Sequence, residues 1–532
     1  MSNKRTNFRI TFAVSAVLLA AIAVFLVSVF DNMPGARVDM TSDRLFTLSP
    51  AAAKILKGLQ VPVQVKLYIT PADKMPTQLR TLERDITEQM RNFEQVADGM
   101  LEFQVFNPQD DEEMQKTLTD KGVRPFQVQS IEKDEMGIKL IWSALTIAYK
   151  DKPEEILPQV LPQNLAALEQ DIIGPVYRLT REKAPRVAIY GPKKAVDQQL
   201  AMMYLQQGMQ PPEPTDQFAQ LAQLMEQGHY EAVPIELTEA SPVPEDVDAV
   251  IVMVSGPLNE RQVYEINRTL HRGVPVIMGV QAHEYNYSPA PSGGWSIAGQ
   301  GRASGIEPML AEFGLTVTTD HFMDIASETI DLPREVNLGG LRMQTREPVR
   351  LPIQIRVTEA QMDQDSPLVN RIGAVFYLWG TPISIDGEKA SAHDLQVTEL
   401  VHSSDDVWTQ PWTDGPVTAA MLSPEGKNKI GPQPLAVLVQ GQFPDTFAGG
   451  EVPAWPETAP QAPGVEEDPL SQIQSQPGPV TPAPGTLVLF GSAKMFDDNI
   501  LAAGQNALLL LNAVDYLAGS KDLLEIRSKT LT

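Results

Sequence analysis

Four predicted strands end in small or polar residues that could line a ligand cleft. In open α/β sheets, ligands bind outside the carboxyl ends of the strands, and small residues there let a ligand approach the backbone. Tight turns use the same residue types, so a purely structural role is the competing interpretation. The candidate ligand-binding residues are Gly191, Ser255, Gly256, Gln281, Gly491 and Ser492.

The sequence contains no recognisable catalytic set, and we predict no catalytic site, no metal site and no cofactor. Its Gly426-Lys427 pair lacks the upstream glycine of a P-loop, and neither G-x-S-x-G nor H-E-x-x-H occurs. The absence of cysteine excludes thiolate chemistry and disulfides. An amidotransferase-type enzyme would carry its nucleophile after the strand ending at Gly279, where this chain has Val280-Gln281-Ala282. In a fold of that kind the catalytic position would be empty.

Three weaker chemical hypotheses each compete with an ordinary structural interpretation. His283 beside Glu284 could bind a metal or act in catalysis, but a loop histidine is the simpler interpretation. The acidic run 110–113 could bind calcium, but acids at a helix start also favour the helix dipole. Asp320 and Asp324 could form the acid pair of a hydrolase, although paired acids are common on protein surfaces.

The elements that would position these residues begin with an N-terminal apolar segment. Ile10 to Phe30 carries no charge, follows Lys4, Arg5 and Arg9, and as a helix would measure about 31 Å, enough to cross a bilayer. The preceding cations predict a cytoplasmic N-terminus, with the rest of the chain outside the cytoplasm. A cleaved signal peptide is the alternative, although its apolar region is ordinarily about 7–15 residues.

Composition limits the class of the remaining chain. The 532 residues carry a net charge of −25, which repels nucleic acid and anionic lipid, so we predict no nucleic-acid partner. A chain of this length exceeds one hydrophobic core and predicts two or three domains.

The pattern of strands and helices predicts the fold class. Apolar runs at 186–191, 248–254 and 274–280 alternate with helical segments, which indicates an open, mostly parallel sheet covered on both faces. Residues 487–490 predict another buried strand, too small to stand alone, which should close the same sheet. The predicted class is α/β: a transmembrane helix followed by two α/β domains, the second flavodoxin-like.

The predicted domain boundaries follow changes in composition. Ten prolines and no Lys or Arg occur from Pro444 to Pro484, which predicts a disordered insertion inside a domain. The predicted segments are 1–34 (cytoplasmic tip and anchor), 35–183 (first α/β domain), 184–445 with 487–532 (second α/β domain) and 446–486 (proline-rich insertion).

Several short motifs, in this order, resemble the GldG-like auxiliary components of ABC transporters, known from gliding motility. They are Asp39-Met-Thr41, Arg44-Leu-Phe-Thr-Leu-Ser49, Asn506, Leu511-Asn512-Ala-Val-Asp515-Tyr-Leu517-Ala-Gly519 and Ile526-Arg527-Ser-Lys529.

The resemblance implies a function without catalysis. It implies a bacterial inner-membrane anchor, a large periplasmic region with an amidotransferase-like, non-catalytic domain, and partnership with an ABC-2-type permease and a separate ATPase. Family members commonly carry a second transmembrane helix after the Arg-Ser-Lys segment, whereas this sequence ends at Thr532. We therefore expect either a single anchor or a truncated sequence. The alternative function is an envelope carbohydrate- or peptide-binding module that acts without a transporter.

Overall fold

A computed structural model describes most of the chain after residue 47. The described residues are 48–132, 135–181, 183–194, 196, 198–290, 295–338, 341–370, 372–456 and 478–518. The predicted anchor Ile10–Phe30 and the motifs at 39–46 and 526–529 lie outside them. Within these ranges, no helix has both the length and the apolar character needed to span a bilayer.

The chain divides into two compact units, the first ending at Val176 and the second beginning at Tyr177. The division falls inside a helix, Leu168–Thr180, whereas the sequence places the boundary after Lys183. The first unit contains α1 (Pro50–Lys57), β1 (Val63–Ile69), α2 (Leu82–Ala97), β2 (Leu101–Phe106), α3 (Glu112–Asp120), β3 (Phe126–Glu132), β4 (Glu135–Ile141), β5 (Ser143–Ala148), β6 (Glu155–Leu157) and the start of α4 (Leu168–Thr180).

The first unit is built on a four-stranded sheet in the order β2-β1-β5-β6. β1 runs parallel to β2 and antiparallel to β5. Ser49 caps the start of α1, because its hydroxyl accepts a hydrogen bond from the Ala52 amide at 3.1 Å. α2 buries Leu82, Ile86 and Met90, the helical spacing that the sequence shows.

The second unit is larger and contains long insertions between the strands of its main sheet. Its elements are β7 (Arg186–Tyr190), β8 (Lys193–Lys194), α5 (Gln198–Gln206), β9 (Thr215–Asp216), α6 (Ala219–Gln227), β10 (Glu231–Ile235), β11 (Ala249–Val254), α7 (Glu260–His271), β12 (Val276–Val280), β13 (His283–Pro289), β14 (Trp295–Gly301), α8 (Glu307–Glu312), β15 (Leu315–Val317), β16 (His321–Asp324), β17 (Ser327–Leu338), β18 (Leu341–Thr358), β19 (Ala374–Leu378), β20 (Ile383–Ile385), α9 (Gly387–Ala392), β21 (Gln396–His402), β22 (Val407–Gln410), β23 (Gly415–Pro416), α10 (Ala419–Leu422), β24 (Pro434–Gly441), β25 (Gly485–Phe490) and α11 (Asn506–Ala518).

The main sheet has seven strands in the order β10-β7-β11-β12-β25-β24-β21. The first five are parallel, and β24 and β21 are antiparallel additions. β25 pairs with β12 (Val276 opposite Leu487), which confirms that the strand after the proline-rich segment joins this sheet. The strand order reverses direction between β7 and β11, the position at which open sheets of this kind place a crevice.

Helices cover both faces of the parallel strands. Along β7, Val187 and Ile189 pack into one core with α6 and α11, while Ala188 and Tyr190 pack into another with α7 and α8. Successive strand residues point to opposite faces, so burial on both sides requires the near-continuous apolar runs seen in the sequence. The sheet therefore holds the strand ends in fixed positions.

The described ends of the proline-rich segment both contact α7. Arg261 donates a hydrogen bond to the Pro453 carbonyl at 3.1 Å, and its guanidinium lies 4.8 Å from the Trp455 ring. On the other side, the Ala483 amide donates to the His271 carbonyl at 3.0 Å. The sequence assigns residues 446–486 to a disordered insertion. In the structure, the described residues at both ends of that range contact the same helix, α7. Residues 457–477 lie outside the described residues.

Candidate functional site at the strand ends

Gln281 lies at the centre of a buried polar junction beyond β12. Its side-chain amide donates to the carbonyls of His283 at 2.8 Å and Trp379 at 2.9 Å. Its side-chain oxygen accepts from the Lys494 amide at 2.9 Å, and the Ser492 hydroxyl lies 3.4 Å from the same oxygen. Gln281 is 1% exposed, so these contacts satisfy its hydrogen-bonding groups within the protein.

Gly491 and Ser492 complete this junction after β25. The Ser492 hydroxyl donates to the Leu378 carbonyl at 2.8 Å, and the Gly491 carbonyl accepts from the Thr381 amide at 3.0 Å. A methyl group on Gly491 would overlap the Thr381 carbonyl and the Tyr377 hydroxyl, so glycine is required for this close approach. The segment after β19 therefore covers the ends of β12 and β25.

The other three candidate residues lie at the ends of β7 and β11, where the strand order reverses. The Phe218 ring packs over Gly191, at 2.8 Å from where a methyl group would stand. Ser255 and Gly256 are partly exposed, and a methyl group on Gly256 would meet no atom within 4 Å. The structure thus joins Gln281, Gly491 and Ser492 in one closed junction, whereas Ser255 is partly exposed and Gly256 has open space beside it.

His283 belongs to a buried cluster of aromatic side chains. The Tyr285 hydroxyl lies 2.8 Å from Nδ1 of His321, and the Trp412 ring stacks on His283 and His321 at centroid distances of 4.1 and 4.2 Å. His283 is 1% exposed and His321 is fully buried. Among the described residues, His283 Nδ1 and His321 Nε2 have no hydrogen-bond partner. The sequence singled out His283 alone, because nothing in it connects this residue with the distant His321 and Trp412.

Burial keeps both imidazoles of this cluster neutral. Loss of solvation, with a contribution from His321, lowers the pKa of His283 to about 3. Loss of solvation also lowers the pKa of His321. The cluster is therefore an uncharged aromatic core at neutral pH.

Acidification should destabilise the second unit through His283. The pKa of an unfolded histidine is about 6.5, so between pH 6.5 and 3 the unfolded state binds more protons and the free energy of unfolding falls as the pH falls. Urea unfolding at pH 7 and at pH 5 measures this fall in the free energy of unfolding. We expect the fall between these pH values to be about 2 kcal/mol smaller in His283→Phe than in the wild type. An equal loss in both proteins would show that His283 does not carry this effect.

The other sequence-based acidic candidates serve structural contacts. Glu284 pairs with Arg302 at 2.7 Å. Asp324 is fully buried and accepts hydrogen bonds from the Ala326 amide at 2.8 Å and the Ser404 amide at 2.9 Å. Burial raises the pKa of Asp324, whereas these hydrogen bonds act in the opposite direction. The side chain of Asp324 thus links the backbone at Ala326 to the backbone at Ser404.

The acidic run 110–113 is likewise used locally. Asp110 pairs with Lys74 at 2.9 Å, and this contact lowers the pKa of Asp110. Asp111 caps α3 by accepting from the Met114 amide at 2.9 Å. Within the described ranges, no three His, Asp or Glu side chains are placed to hold a metal ion.

A surface groove of about 640 Å³ adjoins β21 and has an acidic lining. Asp363, Glu399 and Asp405 border it, and Nε2 of His402 lies 2.5 Å from Glu399. Carboxylates in this arrangement can accept a cationic group. The lining comes from three separate segments of the chain, so no sequence motif marks it.

Comparisons with known proteins place the chain in a family. A family model described as ABC-type uncharacterized transport system matches residues 196–519, and a model described as Domain of unknown function (DUF7088) matches residues 42–148. No curated protein matches the chain.

Two solved structures share only weak similarity with this chain. The mmIFT52 N-terminal domain is 9% identical, with a TM-score of 0.30 over 63% of this chain and 98% of that chain. The Exo-beta-1,4-mannosidase Op5Man5 from Opitutaceae bacterium strain TAV5 is 8% identical, with a TM-score of 0.24 over 83% of this chain and 50% of that chain. Both TM-scores are below the value that indicates a shared fold. The match to the transport-system model, in contrast, spans more than half of the chain, and the chain belongs to this family of auxiliary components of ABC-type transport systems.

Proposed function

We propose that this chain is a non-catalytic subunit, anchored in the bacterial inner membrane, that holds its two units in the periplasm beside an ABC-2-type permease and a separate ATPase. The observation that carries the proposal is the family match over residues 196–519, which spans most of the second unit. Within the complex, the chain would serve assembly, substrate interaction or coupling.

The motif content of the chain supports a division of labour between subunits. Transport by this class of system needs ATP hydrolysis, and the sequence has no P-loop to cradle the phosphates. A single apolar segment, Ile10–Phe30, could anchor the chain but could not form a pore. Both activities would therefore come from partner chains.

The polar junction supports a non-catalytic second unit with an amidotransferase-like fold. The order of β10, β7, β11 and β12 is that of flavodoxin-like sheets, and the position after β12 carries Gln281 instead of a nucleophile. Gln281 is held by buried hydrogen bonds to the His283 and Trp379 carbonyls. This side chain therefore acts as a structural link where such an enzyme would carry its reactive group.

Site-specific labelling tests the proposed anchoring and topology. Because the chain has no cysteine, Met202→Cys, at a side chain that is 61% exposed, gives a single reactive site. We expect a membrane-impermeant maleimide to label this variant once the outer membrane is opened, and to label Ser2→Cys only after the inner membrane is opened. Deletion of residues 1–34 should move the chain to the soluble fraction. Labelling of Ser2→Cys before Met202→Cys would contradict the proposal.

A further inference from the structure

The second unit carries an exposed helix, α5, on an insertion between β7 and α6. β8 and β9 close the base of this insertion, where Lys193 lies opposite Asp216. Lys193 also pairs with Glu236 at 2.7 Å, and the buried Phe218 ring packs over Gly191 where the chain leaves β7. The base of the insertion is therefore joined to the main sheet, and α5 follows the carboxyl end of β7.

A glycine turn ends α5. The Gly208 amide donates to the Leu205 carbonyl at 3.0 Å, and the Met209 amide donates to the Tyr204 carbonyl at 2.9 Å. These two bonds form a Schellman motif, which needs a left-handed residue after the helix, and Gly208 supplies a φ of 70°. The backbone of Met209 is thereby held beside the last helical turn.

The outer side of α5 carries large apolar side chains. Leu205 is 63% exposed and Met202 is 61% exposed, and Met203 and Met209 are also exposed. Met202 and Leu205 are three positions apart, so they lie on one side of the helix, and Met209 follows them at the closing turn. We call Met202, Leu205 and Met209 the α5 face.

The described part of the second unit leaves the α5 face open. Among the described residues, the two cores that flank the main sheet include no member of α5. Helices whose apolar residues extend around most of their surface are ordinarily buried, and exposed apolar patches mark sites of interaction. The composition of α5 therefore indicates that another molecule covers this face.

The residues around the α5 face are uncharged. No Asp, Glu, Lys or Arg occurs from Gln198 to Pro212, although the whole chain carries a net charge of −25. The polar neighbours are amides: Gln206 lies one turn after Met202, and the sequence places Gln198 and Gln199 in the turn before it. An amide at an interface needs only a hydrogen-bond partner, whereas a buried charge needs a counter-charge. The complementary surface is therefore apolar and uncharged, with hydrogen-bonding groups at its border.

Area and charge both argue against a second copy of this chain as the cover. A helix of nine residues is about 13 Å long and about 10 Å wide, so its outward half presents about 200 Å². A stable protein interface buries about 800 Å² on each partner, so contacts between two α5 helices alone would be too small. Two chains that each carry −25 also repel one another.

Composition argues against a lipid surface as the cover and favours a protein groove. Helices that lie in a bilayer interface carry Lys and Arg on their polar side, and residues 198–212 contain neither. Apolar anchors at positions i, i+3 and i+7, as in Met202, Leu205 and Met209, are typical of a helix that fits an apolar groove of another protein. Methionine suits such a contact, because its flexible side chain adapts to the shape of the groove.

We propose that the α5 face inserts into an apolar, uncharged groove between helices of the permease, on the side of the membrane where the second unit lies. The proposal rests on the proposed function above, and α5 falls within the range 196–519 that matches the transport-system family. The contact is too small to hold two proteins together alone, so α5 would orient one part of a larger interface.

Protection of single cysteines from a maleimide tests the proposal on the full chain, which has no cysteine of its own. Leu205→Cys lies on the α5 face. Ile430→Cys is the matched control, because Ile430 is also an exposed apolar side chain but lies outside α5, in the loop before β24. Each variant would be extracted in mild detergent from its native host, within the transport complex, and from a host that lacks the permease.

We expect the complex to slow labelling at position 205 by roughly tenfold or more and to change labelling at position 430 by less than about twofold. In cells, the same contact would slow the labelling of Met202→Cys without preventing it, so that variant still reports its side of the membrane.

Each other outcome overturns the proposal. Equal labelling rates at position 205 in both preparations, with the permease present in the first, would remove the α5 contact and keep the proposed function. Slow labelling at position 205 without the permease would assign the face to lipid or detergent, or to a second copy if dilution of the protein restores the rate. Absence of the permease from the native preparation would overturn both the contact and the proposed function.

Charge placed on the α5 face provides a second test. Met202→Glu combined with Leu205→Glu would bring two carboxylates into an apolar groove, so recovery of the permease with the tagged chain should fall by roughly tenfold or more. Ile430→Glu and Leu205→Met should keep this recovery within about twofold of the wild type. An unchanged urea midpoint would show that the double variant is folded, and full recovery of the permease by this folded variant would contradict the contact.

Discussion

Replacing Gly491 by alanine should lower the free energy of unfolding of the second unit by roughly 3 kcal/mol or more. The added methyl group would overlap the Thr381 carbonyl oxygen and the Tyr377 hydroxyl. Neither atom can move freely, because the Tyr377 hydroxyl donates to the Thr381 carbonyl at 2.7 Å and both residues are fully buried or nearly so. Equilibrium urea unfolding, followed by tryptophan fluorescence, measures the change.

Gly256→Ala is the matched control for this substitution. Gly256 follows β11, which lies two strands away from β25 in the same parallel part of the sheet, and a methyl group there would meet no atom within 4 Å. We expect its free energy of unfolding to stay within about 0.5 kcal/mol of the wild type. Equal effects of the two substitutions would mean that the segment after β19 does not close over β25 as the structure shows.

Gln281→Leu should have an effect of similar size for a different reason. Leucine has about the same volume but leaves the Lys494 amide and the carbonyls of His283 and Trp379 buried without their partner. Each such group costs about 1–3 kcal/mol, so we expect a loss of about 3–4 kcal/mol. Equilibrium urea unfolding of Gln281→Leu and of the wild type measures this difference in the free energy of unfolding.

Gln300→Leu provides the comparison, because Gln300 is exposed on β14. Its free energy of unfolding should change by less than about 0.5 kcal/mol. A stable Gln281→Leu protein would refute the structural role of this glutamine, and loss of transport in such a protein would instead favour a direct role in ligand binding.

The main sheet could be predicted from the sequence because its parallel strands are buried on both faces. The apolar runs at 186–191, 248–254 and 274–280 have no other stable environment in a soluble unit. The same reasoning placed 487–490 in this sheet across the proline-rich segment, and the pairing of β25 with β12 confirms it. The apolar runs at 374–378 and 435–439 also form strands, β19 and part of β24.

The sequence did not reveal the closure of the strand ends. The cover comes from residues 377–381, far along the chain from both Gln281 and Ser492, and its approach depends on the absence of a side chain at Gly491. Small residues at strand ends are equally compatible with an open cleft and with close packing, so only the position of the covering segment separates the two. The roles of the six candidates as ligand-binding residues stay predictions.

One motif residue of the family resemblance gains a physical explanation. Asn506 is fully buried at the start of α11, where its side chain accepts from the Phe376 amide at 2.9 Å and donates to the Met495 carbonyl at 2.7 Å. It thereby ties the last helix to β19 and to the turn after β25. The finer likeness to GldG-like proteins stays a prediction, since the matching family model is the broader one for transport-system auxiliary components.

Isolation of the intact complex tests the central claim most directly. The full-length chain, tagged and expressed at its native level, would be extracted in mild detergent and its partners identified and weighed by mass spectrometry. We predict a defined assembly that contains this chain, an integral-membrane permease and an ATP-hydrolysing subunit in fixed ratio. Recovery of the chain alone, monodisperse and without either partner under conditions that preserve other membrane transporters, would contradict the proposed role.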